Sequence, residues 1–162
     1  MTAAAPRTTP TATRARRSAG LHAWLWLLRL LTVAALATDA YIHAHLAPDY
    51  DLVTGGGGGI SQGDLFRIEA GFSALAALLL LVAATRLTWA FAFLVLASAL
   101  GAILLYRYVD VGALGPLPDM YEPVWYTEKT VAASVEAAGT LTALTGLLTQ
   151  TFHPAARLRR AR

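Results

Sequence analysis

Apolar residues fall into four long runs, covering about residues 24–45, 65–84, 89–108 and 130–150, with polar segments of unequal length between them. Each run is ~20 residues, and a helix rising ~1.5 Å per residue then matches the ~30 Å hydrocarbon core of a bilayer. The second and third runs are separated only by residues 85–88 around Arg86, so they form an antiparallel hairpin. The first run ends at Ala47-Pro48, where proline disfavours helix in the residue before it, and the fourth stops ahead of Pro154. The expected fold class is all-α, an integral membrane four-helix bundle over residues 21–152. Its two long connections are residues 46–64 and 109–129.

Composition moves the chain out of the soluble class: 56 % of residues are hydrophobic and the mean hydropathy is +0.51. Residues 1–20, rich in Thr, Ala, Pro and Arg, cannot bury enough surface to offset ordering entropy and read as a disordered basic tail; residues 153–162 form a second basic tail. The Arg16-Arg17 pair resembles a twin-arginine signal, and Ala35-Leu36-Ala37 a signal-peptidase site. The residues after the arginine pair fit that signal poorly and three more apolar runs follow, so an uncleaved first helix is expected.

Charge sets the expected orientation. With both termini in the cytoplasm, the cytoplasmic segments hold Arg7, Arg14, Arg16, Arg17, Arg86, Arg157, Arg159, Arg160 and Arg162 and no carboxylate. The other half holds Arg67, Arg107, Lys129 and all ten carboxylates. Positive residues in short segments stay inside, which gives an N-in, C-in topology. Trp24, Trp26 and Trp89 near one boundary, and Tyr41, Tyr106, Tyr108, Trp125 and Tyr126 near the other, match the two aromatic belts of a bilayer. The preponderance of arginine over lysine, with abundant Ala and Gly, fits a GC-rich bacterial genome and hence a multi-pass protein of the bacterial inner membrane. Small residues four apart, as at Ala70-Ala74, Ser73-Ala77 and Ala97-Gly101, allow helices to pack closely in lipid.

Ionisable side chains inside such runs are costly and point to function. Asp39, Glu69 and Glu136 lie on three different helices, five or six residues from the same boundary, roughly 8–9 Å deep at 1.5 Å per residue. His43 is four residues after Asp39 and shares its face, and Arg67 and Arg107 approach from the second and third helices. Asp39, His43, Arg67, Glu69, Arg107 and Glu136 form the candidate polar cluster. In a structural reading, the arginines neutralise the carboxylates and tie the helices together. In a functional reading, the layer binds a ligand, an ion or protons. Arg29, about five residues into the first run, is expected to snorkel to phosphates.

Residues 109–129, VDVGALGPLPDMYEPVWYTEK, hold three prolines and several aromatics, too apolar for a disordered loop. This segment is expected to fold back over the mouth of the bundle or to anchor at the interface, with Asp119, Tyr121, Glu122 and Trp125 as contact residues. The five glycines at 55–59 read as a loose tether; no Lys-Ser or Lys-Thr follows them to make a phosphate loop.

Several chemistries find no support. There is no cysteine, hence no thiolate chemistry. Basic tails beside apolar runs are explained by lipid head groups and insertion, so the lipid bilayer is the expected partner and nucleic acid is not. His43 and His45, two apart on one helix, face different sides, and no metal set is expected. His22 and His153 lie at the opposite end from them, against axial haem ligation. No nucleophile elbow or zincin motif occurs, no catalytic residue is named, and the cofactor is unknown.

The segments YIHAHLAPDYD, ISQGDLFRIEAG and LLYRYVDVGALGPLPDMYEPVWY, with the acidic start of the last helix, resemble those of small four-helix bacterial membrane proteins over about residues 21–148. That resemblance implies an architecture and no activity. In size and helix count the chain is also similar to DoxX-like membrane proteins, some linked to quinone redox partners. The function expected is non-enzymatic binding of a membrane-protein partner, a second copy or a small ligand. The alternatives are an accessory subunit for redox or for proton or ion transport, and a structural membrane component.

Overall fold

A computed structural model describes residues 10–55 and 59–152, with side chains from 19 to 150 apart from 56–58. The expectations for residues 1–9, 56–58 and 153–162 lie outside the described residues. Four helices form an all-α bundle: α1 (Pro10–Leu46), α2 (Gln62–Val82), α3 (Arg86–Tyr108) and α4 (Thr127–Phe152), with a 3₁₀ turn at Ala47–Tyr50. All four are long and apolar enough to cross a membrane.

Local chemistry sets the ends. Ser61 and Asp64 cap α2 reciprocally, and Thr85 and Thr88 do the same for α3, satisfying backbone N–H groups that a first turn leaves open. These boxes start both helices three residues ahead of their apolar runs. The larger difference is in α1, which begins at Pro10 instead of 24, so much of the expected tail is helical. Proline suits a first helical turn, and the Ala and Arg residues that follow are strong helix formers. Arg29, expected to snorkel, has partners within the bundle. Its Nε donates to the Leu80 carbonyl at 2.7 Å and its Nη2 to that of Leu81, so it caps the C-terminal end of α2 while stacking on Trp26.

Each helix packs against its sequence neighbour and α4 closes against α1, so α1 and α3 are diagonal, as are α2 and α4. The seam between α2 and α3 is the loosest of the four. Gly139 on α4 permits a close approach of three helices: a Cβ there would lie 2.7 Å from both Ala35 Cβ on α1 and Leu96 Cδ1 on α3. Gly146 similarly faces the Trp89 ring, which is buried at 1 % exposure in the core and not in the aromatic belt expected from its position. Of the small-residue pairs, Ala70, Ser73 and Ala77 are buried whereas Gly101 meets open space.

The polarity of the bundle is inverted relative to one built for water. Leu78, Leu94 and Leu141 are 57 %, 62 % and 66 % exposed, while Thr32, Asp39, Ser73 and Glu136 are wholly buried. Thr32 and Thr142 hydrogen-bond between α1 and α4 at 2.8 Å, and Gln150 Nε2 donates to the Ala84 carbonyl at 2.8 Å. Such bonds hold helices together where water exclusion cannot.

Gly139→Leu forces the α1, α3 and α4 backbones apart and is expected to cost about 1–3 kcal/mol. Gly101→Ala fills open space and leaves stability unchanged or slightly raised. Thermal melting of the two variants in one detergent checks the contrast.

Candidate functional site

Residues at i, i+3, i+4 and i+7 turn one stripe of each helix inward. On α1 the stripe runs Leu28, Thr32, Ala35, Leu36, Asp39, Ile42, His43; on α4 it includes Lys129, Ala132, Glu136, Gly139 and Ala143. The polar members of these stripes meet near the end of the bundle that carries the two long connections.

Asp39 is the hub. Its Oδ2 accepts a 2.6 Å hydrogen bond from Ser73 Oγ of α2, and its Oδ1 lies 3.1 Å from His43 Nδ1, one turn on. His43 Nδ1 is also 3.1 Å from the Asp39 carbonyl. Both neighbours are acceptors, so Nδ1 carries a proton in this arrangement. Glu136 faces Asp39 from α4, and no hydrogen-bond donor reaches either Glu136 oxygen. Ligand atoms of Asp39, His43 and Glu136 lie within 4.8 Å of one another. Glu69, a turn before Ser73, is reached by the Ser73 hydroxyl at a longer 3.4 Å.

The two arginines of the expected cluster do not join it. Arg67 turns outward to a two-pronged pair with Asp51, at 2.6 and 2.9 Å, and reaches Asp64 at 3.5 Å. Its hydrogen bonds hold the exposed Asp51 carboxyl below the usual carboxylate range. Arg107 lies over Tyr108 and Trp125, 5.1 and 5.6 Å from their ring centroids. Among the described residues no arginine or lysine pairs with Asp39, Glu69 or Glu136. Equal depth along the helices was legible in the sequence, but the rotation of Arg67 away from Glu69 depends on Asp51, in the connection before α2.

Beside the cluster, a cavity of about 500 Å³ opens between α2 and α3. Its walls are mainly apolar, among them Ile42, Leu65, Phe66, Phe72 and Ile103, and His43, Glu69, Glu122, Tyr126 and Lys129 supply polar groups. Leu117, Met120 and Glu122 of the second connection close one side. That connection is held by Glu122 N donating to the Tyr106 carbonyl at 3.0 Å, and by Lys129 Nζ donating to the Glu122 carbonyl at 2.6 Å. Tyr50 bridges the first connection to it, donating to Glu122 at 3.3 Å and meeting the Tyr126 hydroxyl at 2.9 Å. Burial and this pairing raise the Tyr126 phenol above its ordinary range.

Of the expected contact residues, Asp119 receives the Tyr121 N–H at 3.0 Å, Tyr121 projects outward, Glu122 meets Tyr50 and Lys129, and Trp125 stacks with Arg107. Ser73, Tyr50, Tyr126 and the buried Lys129 were missed; hydroxyls in an apolar run carry little signal until a partner helix is placed. The glycine run is not simply a tether. Gly55 and Gly59 press on Pro116 of the other connection, where a Cβ at Gly55 would lie 2.5 Å from its carbonyl, and Ile60 N donates to that same oxygen at 3.1 Å. The two connections are thus joined into one cap.

No family model matches the chain, and neither curated proteins nor solved structures give a match. The likeness to small bacterial membrane proteins and to DoxX-like proteins accordingly rests on the quoted segments and on helix number.

Glu136 has no donor to lose, and an amide in its place can donate to Asp39. Glu136→Gln without added metal is therefore expected to be at least as stable as the wild type at pH 8. Ser73→Ala removes a bond to a buried carboxylate and should cost about 1–3 kcal/mol. Thermal melts of both proteins read the opposite signs.

Proposed function

We propose that the chain is a multi-pass membrane protein, with both termini cytoplasmic, that binds a small and mainly apolar ligand in its extracytoplasmic half. The observation that carries this reading is the 500 Å³ cavity between α2 and α3, apolar-walled with His43, Glu69 and Lys129 at its polar positions. Cavities of this size and lining suit small molecules whose polar end needs orientation. The loose α2–α3 seam gives a lateral route from lipid, and the cap formed by residues 109–126 with the first connection covers the aqueous side.

The inverted polarity of the bundle supports a lipid environment, since exposed leucines would be paid for heavily in water. The arginine distribution supports the orientation and a bacterial inner-membrane location. A second reading, an accessory subunit for redox or for proton or ion transport, draws on Asp39, Glu69 and Glu136 lacking arginine or lysine partners among the described residues, with Glu69 and His43 lining the cavity.

Because the chain lacks cysteine, single cysteines report topology without background. Leu52→Cys, 95 % exposed, is expected to react with a membrane-impermeant maleimide on intact cells, and Leu87→Cys, 79 % exposed at the opposite end, only after lysis. The reverse pattern overturns the orientation. Ala102→Phe places a ring in the cavity. Wild-type melting temperature should rise with a short-chain quinone or a fatty acid, and that rise should vanish in Ala102→Phe while its unliganded stability holds. No shift with either probe class in the wild type contradicts the ligand reading.

A further inference from the structure

We propose that Asp39, His43 and Glu136 form a binding site for one divalent transition-metal ion. This goes beyond the ligand reading and requires no occupant in the cavity.

Three observations converge. The donor atoms come from two helices that pack directly against each other, and all lie within 4.8 Å of one another, so that a shift of about half an ångström brings them inside the ~4.2 Å that a sphere of ~2.1 Å bonds spans. Two ligands bound at ~2.1 Å and separated by 90–110° stand about 3.0–3.4 Å apart. Asp39 Oδ1 and His43 Nδ1 are 3.1 Å apart. An ion that takes the place of the Nδ1 proton between them would need little rearrangement, the imidazole keeping its remaining proton on Nε2.

The second observation is Glu136. It is fully buried, and neither of its oxygens has a hydrogen-bond partner. Buried carboxylates are ordinarily paired, hydrogen-bonded or bound to metal. Here pairing fails by geometry, because Arg67 is held by Asp51, Arg107 by stacking on Tyr108 and Trp125, and Lys129 by Glu122. Lys129 is also seven residues from Glu136, about two turns along α4.

The third is the support around the site. Ser73 fixes Asp39 Oδ2, which leaves Oδ1 directed at His43, the kind of outer hydrogen bond that orients metal-binding carboxylates. His43 is itself packed edge-on against Phe66, with ring centroids 5.2 Å apart. One imidazole and two carboxylates suit zinc, manganese, iron or cobalt in the divalent state better than calcium or copper(I). His43 and Glu69 also line the cavity, which gives the ion a path in and leaves room for water or a ligand oxygen to complete its coordination.

The test uses tag-free, full-length protein in detergent, stripped with a chelator and titrated separately with Zn²⁺, Mn²⁺ and Co²⁺ by calorimetry, with Co²⁺ absorption read in parallel. The wild type is expected to take up one ion per chain, with a Co²⁺ ligand-field spectrum. Glu136→Gln and His43→Gln should bind at least tenfold more weakly and lose the spectrum, while Asp110→Asn and Asp119→Asn, whose carboxylates accept only local backbone N–H groups, retain both. Glu136→Gln is the decisive variant because its own fold is expected to persist, checked by melting before titration. Failure of the wild type to bind any of the three ions overturns the proposal, as does equal binding by Glu136→Gln. Loss of binding in Asp110→Asn or Asp119→Asn would move the ion to the surface and overturn it equally. A negative result leaves the cavity-ligand experiment standing, since that is read with organic probes.

Discussion

The constraint on which the rest of the structure depends is electrostatic: Asp39 and Glu136 face each other across the α1–α4 seam in a bundle interior that supplies no arginine or lysine to them. In a low-dielectric interior a charge without a partner costs several kcal/mol. The neighbouring groups meet part of that demand. Ser73 gives Asp39 one short hydrogen bond, and His43 gives it a second polar contact. Glu136 receives neither, so a proton or an ion has to complete the layer.

The helical scaffold around it explains how such a layer is tolerated. Gly139 lets α1, α3 and α4 close tightly next to the cluster, and Gly146 admits the Trp89 ring further along. Beside the cluster, residues of all four helices, chiefly α2 and α3, line the cavity. The basic residues of the bundle serve capping and covering: Arg29 the end of α2, Arg67 the first connection, Arg107 and Lys129 the second. Cap and cluster both contribute to the cavity wall, with Glu122 and Lys129 from the one and His43 and Glu69 from the other.

The four helices were legible in the sequence because each apolar run is long and bounded by polar residues, and proline marks the end of the first. Their starts were less so, since capping by Ser61 and Thr85 extends a helix beyond its apolar residues. The depth shared by Asp39, Glu69 and Glu136 could be read from residue counts, and the shared face of Asp39 and His43 from their spacing of four. Rotation about each helix axis could not be read in the same way. It decides that Glu136 turns to Asp39 while Arg67 turns to Asp51, and it follows from packing among helices. The cap was partly legible: the composition of residues 109–129 indicated an ordered segment, whereas its contact with Gly55 and Gly59 joins positions distant in sequence and has no local signature.

The most direct measurement is an experimental structure determined from crystals grown with Mn²⁺ or Zn²⁺, with anomalous diffraction collected at the metal's absorption edge. The account predicts an anomalous peak between Asp39, His43 and Glu136, with Arg67 still on Asp51 and Arg107 still against Trp125. A map in which Arg107 or Lys129 has entered the layer and pairs with Glu136, with no peak there, would contradict it.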